Sequence, residues 1–314
     1  MTYDIICIGM ALVDSIIKGF NPEPVSASGY RALSGTLNVG GEAVNEAIAA
    51  SKLGLRTAIL CSLGQDNAGS MVKSALNEAG VDTSLISDGP ATPVTTILVN
   101  DDGTRKSITN EAHNYHFHPE MYTAVFADTR VITLGSLFRA PFDDLEVIYS
   151  VVSAAHDAGN LIIADTKLPN FRKLALMELT DSLPKIDFIT PNEDEARYFT
   201  GKEEPDAMAD VFLKYGVKNV IIKLGGKGCF LKNQETSLHL PAYRIEAVDA
   251  TGAGDHFVAG FVSAIIRGSS AEDALQFGNA CGAICTTAIG AGTALKDEKQ
   301  VMKWMGEHTW KTFS

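Results

Sequence analysis

Short runs of consecutive apolar residues alternate along this chain with longer stretches in which apolar positions recur every three or four residues. The opening Asp4-Ile5-Ile6-Cys7-Ile8-Gly9 reads as a buried strand that closes in a tight turn. Thr57-Ala58-Ile59-Leu60, Val131-Ile132-Thr133-Leu134, Leu161-Ile162-Ile163-Ala164, Ile186-Asp187-Phe188-Ile189 and Val220-Ile221-Ile222 have the same character. Between and after them, helical spacing predicts helices over about 42–53, 67–79, 143–158, 171–180, 192–199 and 271–287. Another should start near Gly254, where Val258, Phe261, Val262, Ile265 and Ile266 share one face.

Strands apolar on both faces, each followed by a helix, call for a mostly parallel sheet covered on both sides. Ligands of such sheets gather at the carboxyl ends of the strands. That directs attention to Gly135-Ser136, Asp165-Thr166-Lys167, Pro191-Asn192 and Lys223-Leu224-Gly225-Gly226-Lys227-Gly228. Two regions break the alternation. Residues 18–37 are rich in Pro, Ser and Gly and read as a long polar loop, a kind that tends to be functional. Residues 93–109 read as a hairpin turning at Asn100-Asp101-Asp102-Gly103.

The 314 residues suit one large α/β domain over 1–314, and 46% hydrophobic with 20% charged residues is ordinary globular composition. No apolar run reaches the roughly 18 residues of a membrane span, and no basic stretch precedes an apolar one at the start, so a cytoplasmic protein without membrane contact is expected. A net charge of −12 argues against nucleic-acid binding. The five cysteines are odd in number and lack a Cys-x-x-Cys, which suggests neither a disulfide framework nor zinc. His113, His116 and His118 have no metal-ligand spacing.

Candidate chemistry concentrates in Asp249-Ala250-Thr251-Gly252-Ala253-Gly254-Asp255. The N–H groups of Gly252, Ala253 and Gly254, at the positive end of a helix dipole, suit a transferring phosphate. Asp255, in the first helical turn, is kept ionised by that dipole and can accept the proton of an attacking alcohol. Gly40 and Gly41 let backbone approach a ligand, and Asn45 offers donors and an acceptor to vicinal hydroxyls. Asn192 and Glu195 have the spacing of a helix capping box. Neither a G-x-G-x-x-G after the first strand nor a G-x-x-x-x-G-K-[ST] is present, which weighs against a nicotinamide enzyme and a Walker-type phosphate loop.

Asp249-x-Thr251-Gly-Ala-Gly-Asp255 resembles the C-terminal signature of the ribokinase-like (PfkB) carbohydrate kinases, and Gly40-Gly41-Glu42-Ala43-Val44-Asn45-Glu46-Ala47 through Leu53-Gly54 resembles their N-terminal one. The resemblance implies a three-layer α/β/α sandwich with a small β-sheet lid from about 12–38 and 91–112. It implies an ATP-dependent kinase acting on a primary hydroxyl of a small sugar or sugar acid, of ribokinase, fructokinase or 2-keto-3-deoxygluconate kinase type. Asp255 would be the base and Asp14, Gly40, Gly41 and Asn45 would hold sugar hydroxyls. Ser136, Arg139 and Lys167, with Arg105, would set specificity. Lys223, Gly225, Gly226, Gly228 and Asn279 would face ATP, Asn192 and Glu195 would order Mg²⁺ through water, and Asp249, Thr251 and Gly290 would bind a monovalent cation such as K⁺. Pairing of two copies through the lids is a further implication. Lys223 stands where many relatives carry Thr, and Ala250 and His256 also depart from the commoner pattern. The alternatives are a nucleoside kinase, against which it counts that the lid regions hold mainly Tyr30 and Tyr115 as aromatics to surround a base, and a sugar-binding relative without turnover.

Overall fold

The computed structural model describes residues 2–19, 29, 31–100, 104–110, 118–170 and 172–310. Its elements run β1 (Tyr3–Ile8), β2 (Leu12–Lys18), β3 (Ser34–Gly40), α1 (Glu42–Lys52), β4 (Thr57–Leu60), β5 (Ser62–Gly64), α2 (Asn67–Glu78), β6 (Ser87–Gly89), β7 (Val94–Val99) and β8 (Arg105–Thr109). There follow β9 (Thr129–Leu137), α3 (Leu145–Asp157), β10 (Leu161–Thr166), β11 (Phe188–Ile189), α4 (Glu193–Thr200), α5 (Pro205–Lys214), β12 (Asn219–Lys223), β13 (Cys229–Lys232), β14 (Ser237–Leu240), α6 (Ala253–Ile266), α7 (Ala271–Cys285) and α8 (Glu298–Glu307).

The main sheet has the order β14-β13-β12-β11-β10-β9-β1-β4. Pairing is parallel from β4 to β12 and antiparallel in the two hairpin-linked strands at the other end. Successive side chains of a strand point to opposite faces, and β1 shows the result. Ile5 and Cys7 pack into a core with residues of α1, α2, α6 and α7, while Ile6 and Ile8 pack on the other side with residues of α3 and α5. Both faces are therefore dry, which explains unbroken apolar strands such as Ile221-Ile222.

A second sheet, β3-β2-β7-β8, carries the lid. Its β2 pairs antiparallel with β3 and parallel with β7, whose hairpin partner is β8. The start of the 18–37 stretch thus ends one strand and its last residues begin another, rather than forming one loop. Solvent reaches much of this sheet and leaves no continuous apolar pattern to read; all of β8 is exposed. Residues 20–28 and 30 of that stretch, together with the expected turn at Asp101, Asp102 and Gly103, lie outside the described residues.

The expected helix over 171–180 is replaced, among the described residues, by a single 3-10 turn at Leu176–Leu179. Its two leucines, three apart, are both buried, and one tight turn is enough to seat them. Two helices extend the pattern-based picture: α5, opened by Pro205 at its first turn, and α8, capped by Asp297. No helix among the described residues is long and apolar enough to cross a membrane.

Candidate active site

Helix α6 begins at Gly252, whose φ of 78° is in the left-handed region and whose hypothetical Cβ would stand 2.5 Å from the Cβ of Ala291. Only glycine fits, and no side chain caps this helix start. The Ala253 N–H turns back to the Ala250 carbonyl at 3.2 Å, so it is not the uncovered donor the sequence suggested. No comparable bond engages the N–H groups of Gly252 and Gly254 among the described residues.

Asp255 follows in the same turn, only 6% exposed, its Oδ2 accepting from the Asn45 amide nitrogen at 2.7 Å across 210 residues of chain. Burial pushes its carboxyl up to about 6; the Lys167 ammonium and Asn45 pull it back, while Glu42 and Asp165 add to the rise. The group remains mostly ionised at neutral pH, but burial, not the helix dipole, has the larger say.

Asp14 lies on β2 opposite β3, and a Cβ on Gly40 would stand 2.6 Å from its Oδ2. Gly40 is therefore the space into which this carboxylate leans. Gly41, at φ 104°, caps α1 where any side chain would meet the Met10 carbonyl. Burial, then the neighbouring Glu42, raise Asp14 to about 6.

Glu42 joins the proposed specificity residues. Its carboxylate accepts from Ser136 Oγ at 2.8 Å and pairs with Lys167 Nζ at 3.1 Å. Burial pushes this carboxyl up, but Lys167, a backbone N–H and Ser136 outweigh it and hold it below the usual range. Lys167 is in turn held charged, chiefly by Glu42. Arg139 is drawn elsewhere: its Nε donates to the Leu168 carbonyl at 2.7 Å, steadying the segment after Lys167.

Beneath these groups, Asp165 accepts from Thr190 Oγ1 at 2.7 Å and from Lys223 Nζ at 2.5 Å. The same ammonium lies 3.1 Å from where a Cβ on Gly254 would be, which sets a positive charge under the helix start. Glycines 225, 226 and 228 form the turn between β12 and β13; Gly228, at φ 101°, presses against the Leu240 carbonyl. Asn279 donates to the Pro241 carbonyl at 3.4 Å, so the glycine turn, the 240–242 segment and α7 meet. Gly278 and Gly282 of α7 face Phe257 and Ala253 of α6, so close helix packing accounts for these two small residues.

The capping box at α4 forms in both directions: Asn192 Oδ1 accepts from the Glu195 N–H and Glu195 Oε2 from the Asn192 N–H, each at 2.9 Å. Thr166 also donates to Glu195 Oε2 at 2.9 Å, tying this helix start to the end of β10. Asp249 gathers Thr251 Oγ1 at 2.7 Å, the Thr251 N–H at 3.0 Å and the Gly290 N–H at 3.0 Å. Burial raises its carboxyl, yet these donors, Gly290 first, hold it below the usual range. His256, fully buried, is bonded through Nδ1 to the Gly252 carbonyl at 2.9 Å; burial lowers it to about 4, and it is neutral. His113, His116, Tyr30 and Tyr115 lie outside the described residues; His118 pairs with Glu120 at the surface.

Strand-end position pointed to Asp165, but sequence reasoning gave no role to it, to Glu42 or to Glu46. The signal was present for the two glutamates. They are four apart on a helix whose neighbouring positions Ala43, Val44 and Ala47 are apolar, so two acids ride an inward face.

A mostly parallel α/β sheet with an uncapped helix start and a buried carboxylate beside it, together with a small second sheet, defines a protein of the ribokinase fold. A family model described as pfkB family carbohydrate kinase matches residues 3–298, and the chain belongs to that family. A ribokinase of Haemophilus influenzae is 29% identical over 276 residues, covering 86% of this chain and 87% of the relative. The solved structure of Arabidopsis thaliana ribokinase complexed with ribose and ATP superposes with a TM-score of 0.84 at 26% identity, over 100% of both chains. An E. coli protein assigned as a ribokinase II, in complex with ATP and Mg²⁺, gives 0.80 at 26% identity, over 97% of this chain and 99% of that one.

The ionisation of Asp255 has a consequence for stability that can be measured without substrate. Its folded pKa, about 6, exceeds the ordinary aspartate value of 3.8, so the folded state holds the proton more tightly. That stabilisation is complete below about pH 4 and is lost as pH rises through 6. Asp255→Asn should therefore gain on the wild type by about 2.5 kcal/mol between pH 4 and pH 7 in denaturant titrations. An Asn-minus-wild-type difference that does not change with pH would contradict the raised pKa.

Proposed function

We propose that this protein is an ATP-dependent kinase that transfers the γ-phosphate to a primary hydroxyl of a small, uncharged sugar. The observation that carries the reading is the pairing of Asp255 with Asn45 beside the Gly252 and Gly254 amides, opposite Asp14 and Gly40. Asp14 and Asn45, with the backbone at Gly40 and Gly41, would bind hydroxyls of the acceptor and aim one at the helix start. Asp255 would take that hydroxyl's proton as the oxygen attacks phosphorus. The amides of Gly252 and Gly254 stabilise the charge developing on the transferred phosphoryl, aided by Lys223 below them; Ala253 would join after releasing Ala250. The lid sheet excludes water that would otherwise accept the phosphate.

The glycine turn at Gly225, Gly226 and Gly228 and the neighbouring Asn279 would receive the nucleotide, supported by the ATP-complexed neighbours at 26% identity. Asn192 and Glu195 would hold Mg²⁺ through water; the buried, donor-ordered Glu195 carboxylate fits a sparse outer-sphere role. When bound, the ion offsets negative charge on the phosphates. Asp249, Thr251 and Gly290 converge on a carboxylate kept ionised, which fits a monovalent cation such as K⁺.

An uncharged acceptor is favoured over a sugar acid because the cations that might greet a carboxylate are engaged. Lys167 is paired with Glu42 and Arg139 is bonded to a backbone carbonyl, while Asp14, Glu42 and Asp255 make the pocket acidic. Ribose bound to the Arabidopsis neighbour is consistent with this choice.

Three outcomes follow. In a coupled ADP-release assay over pentoses, hexoses, keto-deoxy sugar acids and nucleosides, a neutral sugar should give the highest kcat/KM, and Asp255→Asn should lower kcat at least about a hundredfold while ATP binding by calorimetry is kept. Near-normal turnover in that variant would refute the base, and preference for a sugar acid the acceptor class. Replacing K⁺ by tetramethylammonium should reduce kcat several-fold, and Asp249→Ala should abolish the difference; equal rates in both salts would remove the cation site. Leu37 at 60% and Ile108 at 65% exposure on the lid suit pairing of two copies there, and Leu37→Lys should shift a dimer to monomer in sedimentation. A wild-type monomer at working concentration would exclude it.

A further inference from the structure

Glu46 is one helical step past Asn45, is fully buried, and has no part in the mechanism above. Thr133 Oγ1 donates to its Oε2 at 2.6 Å, but Oε1 is buried without any hydrogen-bond partner. Carboxylate oxygens of Glu46, Asp165 and Asp255 all lie within 4.8 Å of one another. Three acids in one dry space need either cations or protons.

The available cations are already shared out. Lys223 sits 2.5 Å from Asp165, and Lys167 is paired with Glu42. Asp255 has the helix start and the Asn45 amide. Glu46 has one hydroxyl and nothing charged of its own. A metal ion is poorly suited to the space, since the Lys223 ammonium already occupies one side of Asp165.

We propose that Glu46 carries a proton in the working enzyme and acts as a positioning residue, a neutral acid that leaves Asp255 as the ionised carboxylate toward the acceptor. Thr133 donating to Oε2 leaves Oε1 as the atom that bears the hydrogen. From Oε1 it can be aimed at the carboxylates of Asp255 and Asp165, directly or through one water. Lys223 pulls Glu46 toward its charged form, but that ammonium is committed to Asp165, and the other titratable groups that face Glu46 favour the proton. Cys7 from β1 is a neutral thiol, pushed up by burial and then by Glu46; Asp165 from β10 and Asp255 from α6 disfavour another negative charge; and Lys223 from β12 is turned to Asp165. Burial, then Asp165, raise the Glu46 carboxyl well above its ordinary value.

The kinetic arm of the test rests on the kinase reading; the spectroscopic arm does not. At about pH 8, with Asp14 and Asp255 ionised, infrared difference spectra of wild type against Glu46→Gln should show a protonated-carboxyl band that the variant lacks. In pH profiles of kcat/KM, Glu46→Gln should keep the wild-type acid limb near pH 6, because one neutral group replaces another. At high pH the wild type should fall about tenfold as Glu46 ionises beside Asp255, and Glu46→Gln should hold its plateau. No such infrared band, an acid limb lowered by about one unit or more in the variant, or an alkaline profile common to both proteins would each overturn the proposal. Should the amide not fold, Glu46→Met provides the same comparison with an apolar side chain of like length. Loss of sugar-dependent ADP release in the wild type would instead count against the kinase reading and leave the infrared result to decide Glu46.

Discussion

A carboxylate taken out of water keeps its charge only where donors and cations replace the solvent, and the carboxyl edge of this sheet is organised around that demand. Asp255 is almost fully buried and relies on a helix start, an amide from α1 and the nearby Lys167. Each neighbouring acid is provided for in its own way: Glu42 by Lys167 and Ser136, Asp165 by Lys223 and Thr190, Asp249 by backbone and hydroxyl donors. Pairing these charges one to one lets several acids stand close together without expelling Asp255 from its place. It also leaves Asp255 less acidic than a free aspartate, closer to the pH at which the proposed base would accept a proton.

The topology makes this crowding possible. Parallel strands end on the same edge, so β9, β10 and β12 deliver Ser136, Asp165 and Lys223 to one level although the first and last are far apart in the chain. Helix α1 comes in from the lid side with Glu42, Asn45 and Glu46 on successive inward positions, and α6 meets it with Asp255. Small residues allow the approach: Gly252 against Ala291, and the glycines of α7 against α6. The two helices meet closely enough for one hydrogen bond between side chains to span the junction of the N- and C-terminal signatures.

Much of this was legible in the amino-acid order, for physical reasons that differ by element. Strands dry on both faces have a plain apolar signal, and the main sheet was readable from Ile5-Ile6-Cys7-Ile8 onward. The lid strands are largely exposed, so the start of β3 looked like the end of a loop and the region was joined to 91–112 only by family resemblance. A helix over 171–180 was suggested by leucines that a single tight turn is able to bury. Within the site, Asp255, Asn45 and Asp249 could be anticipated because their motifs are local. The turn that engages Ala253 depends on backbone geometry, and the partnership of Ser136 and Lys167 through Glu42 joins three distant segments, so neither was visible in one dimension.

Asp14 and Gly40 belong to the small sheet, whereas Asn45 and Asp255 belong to the layer below it. The chain passes between the two bodies at four places: the three residues between β1 and β2, Gly41, the segment ahead of β7 and the segment after β8. Of the groups proposed to hold hydroxyls, Asp14 and Gly40 are thus mounted on the roof, while Asn45 shares the floor with the proposed proton acceptor. In the proposed reaction, the grip on the acceptor and the height of the roof above the floor are one mechanical coordinate, set at those four crossings.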